Sequence, residues 1–360
     1  MLINRLQVSQ FRCWSYREVE FDREITYLTG SNSAGKTSLV EAINYLSTGR
    51  SFRTRRDRRL IQWEKSYYSL RGEFSDGPVE DIAVSYEKTP AGSLKQIKVD
   101  GELLSRLSRL QGLFPVVLFS PEQLEILTGG PKNRRRFINQ LICQYSPEYI
   151  RQLQIYNRAL DQRNSLLKNN NPDPDLLETY EKKMAPAAGY IITQRRKLLA
   201  RLQDWLAEHI KELAGEILEE ITINYRPGIG DSEDSEDIAE KLVEERKKAI
   251  KTGYTTFGIQ RDDWQISRAD EHSLRNSGAR GELRVTLIAL KYAAAGVIDD
   301  CSAYRPVLLF DDLLSELDSY RQSHVINYGL RSKYQVIFTG TKNPDEFDLP
   351  RPGCVVELPE

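Results

Sequence analysis

Leu2, Leu6 and Val8 alternate roughly as one strand, and Glu24 to Thr29 reads as a second that stops at Gly30. Leu39, Ile43 and Leu46 then recur at helical spacing, which predicts a helix from about Lys36 to Leu46. Period-two patterns return at Tyr68–Phe74, Ile82–Tyr86 and Leu94–Val99. The turn-forming runs Ser75–Pro78, Thr89–Gly92 and Asp100–Gly101 separate them, so antiparallel hairpins are expected. Near Pro131 the period lengthens. Ile150, Leu153, Leu160 and Leu167 form one stripe, and Leu177, Tyr180, Met184, Ala187 and Ile191 form another. The stretch Asn169–Asp175 cannot continue a helix, so the two stripes predict an αα-hairpin, with a kink at Pro186. A strand at Ile221–Tyr225 and a solvated acidic loop at Asp231–Asp237 are expected next. From about Phe257 the pattern is α/β again. A helix over Glu282–Ile298 leads to the strand Val307–Phe310, and a helix over Tyr320–Leu330 leads to the strand Gln335–Phe338. The chain shows no internal repeat.

Size and charge set bounds on this picture. The chain has 360 residues, enough for two or three domains at about 150 residues each. The texture changes suggest a head in two parts, residues 1–130 and 255–360, with a helical insert at 131–254. Formal charge is −1, with 51 Lys and Arg against 52 Asp and Glu, so nucleic-acid binding cannot be argued from overall basicity. Cys13, Cys143, Cys301 and Cys354 are scattered, as are His209, His272 and His324, and no zinc spacing or disulfide framework emerges. Reduced thiols and a cytoplasmic location are expected. Met1 to Arg12 has no apolar core and no apolar run reaches membrane-spanning length, so neither a signal peptide nor a membrane partner is expected.

Three segments carry chemistry. Gly30-Ser31-Asn32-Ser33-Ala34-Gly35-Lys36-Thr37 fits G-x-x-x-x-G-K-[ST] between a strand and a helix. Its glycines let the backbone wrap phosphates, and its N–H groups, continuing to Ser38, face the anion at a helix N-terminus. Lys36 would reach the β- and γ-phosphates of ATP and Thr37 would ligate Mg2+. The strand ending in Asp311 and Asp312 supplies two carboxylates, Asp311 for the metal and Asp312 to polarise the attacking water. Lys36 and Asp312 are therefore the candidate catalytic residues. Ser277, Gly278 and Gly281 precede or open a predicted helix. They make either a second anion site or an ordinary helix start capped by Glu282.

Two basic clusters stand out of the neutral background. Arg50, Arg53, Arg55, Arg56, Arg58 and Arg59 fall within ten residues beside a single Asp57. Lys132, Arg134, Arg135 and Arg136 sit at a predicted helix start, where they oppose the helix dipole. Each is either a solvated face laced with ion pairs or a surface for DNA phosphates, with duplex-backbone binding favoured over base readout.

The order of these pieces resembles the RecF family of ABC-type head ATPases, related to the SMC heads. Phe11-Arg12 with Trp14–Tyr16, Leu46–Thr54 with Arg56–Arg58, Phe119–Glu122, Gly130-Pro131 with Arg134–Phe137, Arg158–Leu160 with Gln162–Asn164, Arg261–Asp263 and Leu309–Asp318 are similar to blocks of that family. The resemblance implies a P-loop ABC-type α/β head, a mixed sheet with antiparallel hairpins, and an inserted helical domain. It implies that Arg12 lies at the nucleotide, that Ser277-Gly278 and Gly281 form the signature facing a partner's γ-phosphate, and that Ser315–Asp318 is a D-loop. Thr339 and Thr341 would occupy the last switch strand. It further implies an ATP-dependent homodimer with weak, DNA-dependent ATP hydrolysis. Such a dimer would act on double-stranded DNA and single-strand/double-strand junctions, and would work with RecO and RecR to load RecA in repair and replication restart. Ala279 replaces the usual signature serine, Gly258-Ile-Gln-Arg261 replaces Gly-Pro-His-Arg, and Gly340 replaces a frequent threonine. A transporter ATPase subunit, a small-metabolite P-loop kinase and an SMC-like head that does not act on DNA gaps are the competing readings.

Overall fold

The computed structural model describes residues 1–169, 171–214, 221–268, 273–312, 319–341 and 354–359. They fall into two units. One comprises Met1–Gln123 and Ile288–Glu360, and the other Leu124–Leu287.

The first unit opens with β1 (Leu2–Phe11) and β2 (Trp14–Glu20), then β3 (Ile25–Thr29) and α1 (Lys36–Thr48). There follow β4 (Tyr67–Ser75), β5 (Asp81–Thr89), β6 (Gly92–Val99), the short β7 (Glu102–Leu103) and β8 (Val116–Phe119). The alternating strands pair as expected, in an antiparallel sheet of order β2-β1-β4-β5-β6-β7. Asp100 (φ 50°) and Gly101 (φ 81°) close its last hairpin with the two left-handed residues that a tight turn needs.

The chain then enters the second unit. It forms α2 (Glu125–Thr128), α3 (Pro131–Cys143), α4 (Pro147–Leu166) and the 41-residue α5 (Pro174–Ala214). The predicted αα-hairpin is α4 against α5, and α5 runs unbroken through Pro186. β9 (Ile221–Arg226) follows, then α6 (Ser235–Glu244) and α7 (Arg246–Thr252). The acidic run differs from the expected solvated loop. Asp234 caps α6 by accepting from the N–H groups of Glu236 and Asp237, and Glu233 pairs with Arg196 at 2.6 Å. β10 (Asp263–Arg268) pairs antiparallel with β9. That pairing carries the second unit past residue 254, through α8 (Leu274–Ser277) and into the start of α9 (Arg280–Cys301). Ion pairs tie this unit together: the buried pairs Arg163 with Glu181 and Arg195 with Asp262, and the buried Arg134 with the part-buried Asp263.

Back in the first unit come β11 (Val307–Phe310), α10 (Ser319–Arg331), β12 (Val336–Gly340) and β13 (Cys354–Glu357). They complete an all-parallel sheet of order β13-β3-β12-β11-β8. Every residue of β3, β8 and β11 is buried, as a covered parallel sheet demands. α1 touches strands of both sheets, and its Leu39, Ile43 and Leu46 are fully buried in one cluster with residues from each. Parallel and antiparallel strands thus segregate around one helix. Among the described residues no helix is long and apolar enough to cross a membrane, and all four cysteines are free thiols.

Candidate functional site: a phosphate loop, a carboxylate pair and a basic segment

β3 delivers the chain to the loop Gly30–Thr37, and α1 carries it away. Gly30 (φ 150°) and Gly35 (φ 78°) hold backbone conformations that side chains disfavour. A Cβ on Gly35 would also lie 2.5 Å from Cys13 Sγ and 2.8 Å from Trp14 Nε1. The turn joining β1 and β2 therefore clamps the loop, and Trp14 Nε1 donates to the Gly35 carbonyl at 3.3 Å. No side chain caps α1 and its first turn holds no acid, so the amides there are arranged for an anion. Lys36 is buried and donates to the carbonyls of Gly30 (2.9 Å) and Ser31 (2.6 Å). Burial lowers its pKa, against the pull of Asp312 and Asp311.

The second half of the site reaches the first across the parallel sheet. Thr37 Oγ1 donates to Asp311 Oδ1 at 3.0 Å, and so does Thr339 Oγ1 from the end of β12. Thr339 Oγ1 accepts in turn from the Asp312 N–H at 2.8 Å. Burial pushes the Asp311 carboxyl up to about 6, the two hydroxyls oppose that shift, and Asp312 and Glu122 add to it. Asp312 has φ 51°, a strained value for a residue with a side chain, and it redirects the chain where β11 ends. A hydroxyl and a carboxylate in contact at a phosphate loop form the hard oxygen donor set that Mg2+ prefers. Thr37 and Asp311 fit that ion, which would offset phosphate charge there.

Ser31, Asn32 and Ser33 are exposed on the loop, whereas Ala34 is buried. Ser38 departs from the expected phosphate contact. It is buried, its N–H bonds the Gly35 carbonyl and its hydroxyl faces Cys13 Sγ at 3.9 Å, so it braces the loop. Arg12 departs too. Its guanidinium grips Glu41 at 2.6 and 2.7 Å and the Arg59 carbonyl at 3.2 Å, instead of being left for the nucleotide. Glu41 lies on α1 one turn past Thr37 and is fully buried. It also accepts from Ser51 Oγ, whose oxygen in turn caps the N–H groups of Arg53 and Thr54. The sequence reading missed this residue, although a carboxylate among apolar α1 positions was its visible signal.

Ser277, Gly278 and Gly281 lie in the second unit, at the junction of α8 and α9. Glu282 Oε2 accepts from the Ala279 N–H at 2.8 Å and from Arg268 at 2.6 Å, the capped helix start foreseen as one alternative. Ser315–Asp318 lies outside the described residues.

The basic clusters separate sharply. Arg50, Arg53, Arg55, Arg56, Arg58 and Arg59 are all exposed, and among the described residues only Arg53 meets a carboxylate, Glu41 at 3.8 Å. Asp57, the one acid in the run, is taken by Lys95 at 3.0 Å. The second cluster does not hold together as a phosphate surface. Arg134 is 2 % exposed and gripped by Asp263 at 2.6 and 3.0 Å, so it is an internal strut. Arg135 donates to the Asp262 carbonyl at 2.7 Å, while Lys132 and Arg136 are exposed.

This geometry can be set beside known proteins. The AAA domain family matches residues 5–252. The DNA replication and repair protein RecF of Halalkalibacterium halodurans is 34 % identical, with 97 % of this chain and 94 % of that protein covered. The chain belongs to the RecF family. The solved structure of the recombination mediator protein RecF-ATPrS in the RecFOR pathway superposes with a TM-score of 0.87 at 28 % identity, covering 99 % of this chain and 95 % of that one. An Smc head bound to the C-winged helix domain of ScpA shares the fold at a TM-score of 0.54 and 14 % identity, covering 95 % and 90 %. The RecF-family head architecture thus accounts for the P-loop, the two sheets and the helical second unit.

Proposed function

We propose that the chain is an ATP-dependent DNA-binding protein of recombinational repair and replication restart. ATP and Mg2+ are held by Gly30–Thr37 and Asp311, and Asp312 orients the attacking water in a slow, DNA-stimulated hydrolysis. Family membership and the name of the RecF relative support the repair setting, and the ATPrS form of the solved RecF supports the nucleotide. ATP joins two copies, with Ser277, Gly278 and Gly281 of one facing the γ-phosphate of the other. The dimer rests on gapped DNA or on single-strand/double-strand junctions, and works with RecR and RecO to load RecA. The protein acts in the cytoplasm.

One observation carries the DNA reading. Five exposed arginines, Arg50, Arg55, Arg56, Arg58 and Arg59, lie just past α1 with no carboxylate partner among the described residues. Five guanidinium groups left unneutralised in one short segment make a local positive field suited to DNA phosphates. Lys132 and Arg136 are a second, weaker contact.

The test measures mass and DNA affinity with ATP, with ADP and with Lys36→Met, across a salt series. ATP should produce dimers and tighten DNA binding, and Lys36→Met should do neither. If ATP changes neither mass nor DNA affinity, the reading is wrong; salt-independent behaviour would instead favour a head serving another partner, such as a transporter.

A further inference from the structure

The basic segment ends in an exposed aromatic side chain. Trp63 is 87 % exposed, the most exposed large hydrophobic side chain among the described residues. Trp264, by contrast, is buried, and Trp14 is bonded to the phosphate loop. A single exposed indole needs no cover by itself; what singles out Trp63 is its place directly after the basic segment, where its ring face is open to a ligand.

Its backbone is not loose. Leu60 is buried and its carbonyl accepts from the Arg12 N–H at 2.7 Å. Ile61 bridges to Phe11, and the Gln62 N–H donates to the Gln10 carbonyl at 2.8 Å. The Gln62 side chain reaches the Cys13 carbonyl at 3.3 Å and Ser15 Oγ at 3.0 Å. The turn then closes from the Lys65 N–H to the Gln62 carbonyl at 3.1 Å, with Glu64 at φ 63°. Trp63 thus stands at the tip of a turn bolted to the start of β2. The charged groups around it in the chain are Arg58, Arg59 and Lys65, against the single exposed Glu64.

An exposed ring on a tethered turn, following guanidinium groups with no carboxylate partner among the described residues, matches the chemistry of a nucleobase attached to a phosphate chain. The ring offers a face to any base and the arginines take the backbone. Inside a duplex both faces of every base are covered by stacking and a blunt end offers only the outer face of its last pair, whereas an unpaired base at a gap can be splayed out against a ring. We propose that Trp63 stacks on an unpaired base next to a duplex while Arg58 and Arg59 hold the adjoining phosphates. This rests on the DNA reading above and assigns it a contact that would distinguish junctions from plain duplex.

The experiment uses the full chain with ATP at one fixed salt concentration. Anisotropy is read on a blunt duplex and on the same duplex with a single-stranded tail carrying 2-aminopurine at its first unpaired position. Trp63→Ala, Trp63→Phe and the quadruple variant Arg55→Ala, Arg56→Ala, Arg58→Ala, Arg59→Ala are compared. Trp63→Ala should weaken binding to the tailed duplex by about fivefold or more and leave the blunt duplex unchanged. Trp63→Phe should retain most of the preference, and quenching of 2-aminopurine should follow the same order. Equal affinities of Trp63→Ala and wild type for the tailed duplex would overturn the stacking role, as would equal weakening on both substrates. If the wild type binds DNA and the quadruple variant loses both substrates while Trp63→Ala loses neither, the DNA reading stands and the stacking role alone fails. If the wild type binds neither substrate, the underlying reading fails.

Discussion

Asp311 holds one carboxylate oxygen between the hydroxyls of Thr37 and Thr339, in a buried place that raises its pKa to about 6. The folded protein therefore takes up this proton more readily than the unfolded chain does. The ionised group costs stability above about pH 6, and the cost disappears as pH falls. The proposed metal contact needs the opposite form. ATP's own terminal phosphate also protonates at about pH 6, so the wild type is compared with Asp311→Asn: its Mg2+-dependent ATP affinity should fall more steeply below about pH 6 than that of the variant. Asp311→Asn should bind more weakly than the wild type at about pH 7–8 and keep only the fall that ATP's own phosphate imposes. Titration calorimetry between pH 5 and 8 checks this, and identical pH dependence in wild type and Asp311→Asn would remove Asp311 from the metal. At this scale the sequence was readable where a residue's neighbours are close in the chain. Lys36 and Thr37 follow from the glycines before them. The commitment of Arg12 to Glu41 was not readable, because 29 positions separate the two.

Among the elements, β4 and β5 were legible because each buries alternate residues and so imprints its period on the chain. β6, which buries only Ile97, was legible from its flanking turns, and α1, which is buried nearly all round, from the spacing of Leu39, Ile43 and Leu46. β2 was not, since its only fully buried residue is Val19 and its other positions are largely charged or polar. The start of α3 misled for a related reason. Sequence gives the sign of Arg134 but not Asp263, 129 positions away, which neutralises it. The two arginine groups should therefore respond oppositely to substitution. Replacing Arg55, Arg56, Arg58 and Arg59 with Ala should flatten the dependence of log affinity on log salt, by up to about 0.9 for each phosphate no longer neutralised, and leave stability nearly unchanged. Arg134→Ala should cost about 1–3 kcal/mol in urea unfolding, by leaving the part-buried Asp263 carboxylate without its cation, and leave the salt slope of the remaining folded protein intact. An Arg134→Ala protein of full stability would contradict the strut assignment.

At the scale of the whole molecule, the proposed function ties nucleotide turnover to assembly through Asp312, whose strained backbone turns the chain at the end of β11. Asp312→Asn is expected to keep ATP affinity, slow turnover by about a hundredfold or more, and lengthen the life of the ATP dimer. Phosphate release and light scattering on one sample test this, and unchanged turnover would take Asp312 out of the hydrolytic step. The split head was legible as a return of α/β pattern after a helical stretch. The limits of the second unit were not, because they depend on β10 pairing with β9. The sheet order has one more consequence, for how the protein is made. Among the described residues, β3 and β8 find their hydrogen-bonded strand partners only in β11, β12 and β13, all beyond residue 300. At about 5–20 residues per second, a ribosome needs roughly 10–45 s to go from β8 to the end of β12. During that interval two short, wholly buried-to-be segments wait unpaired on the nascent chain. A messenger truncated before β11 should give an aggregating product, and holding chaperones should be found on ribosomes paused in the helical second unit.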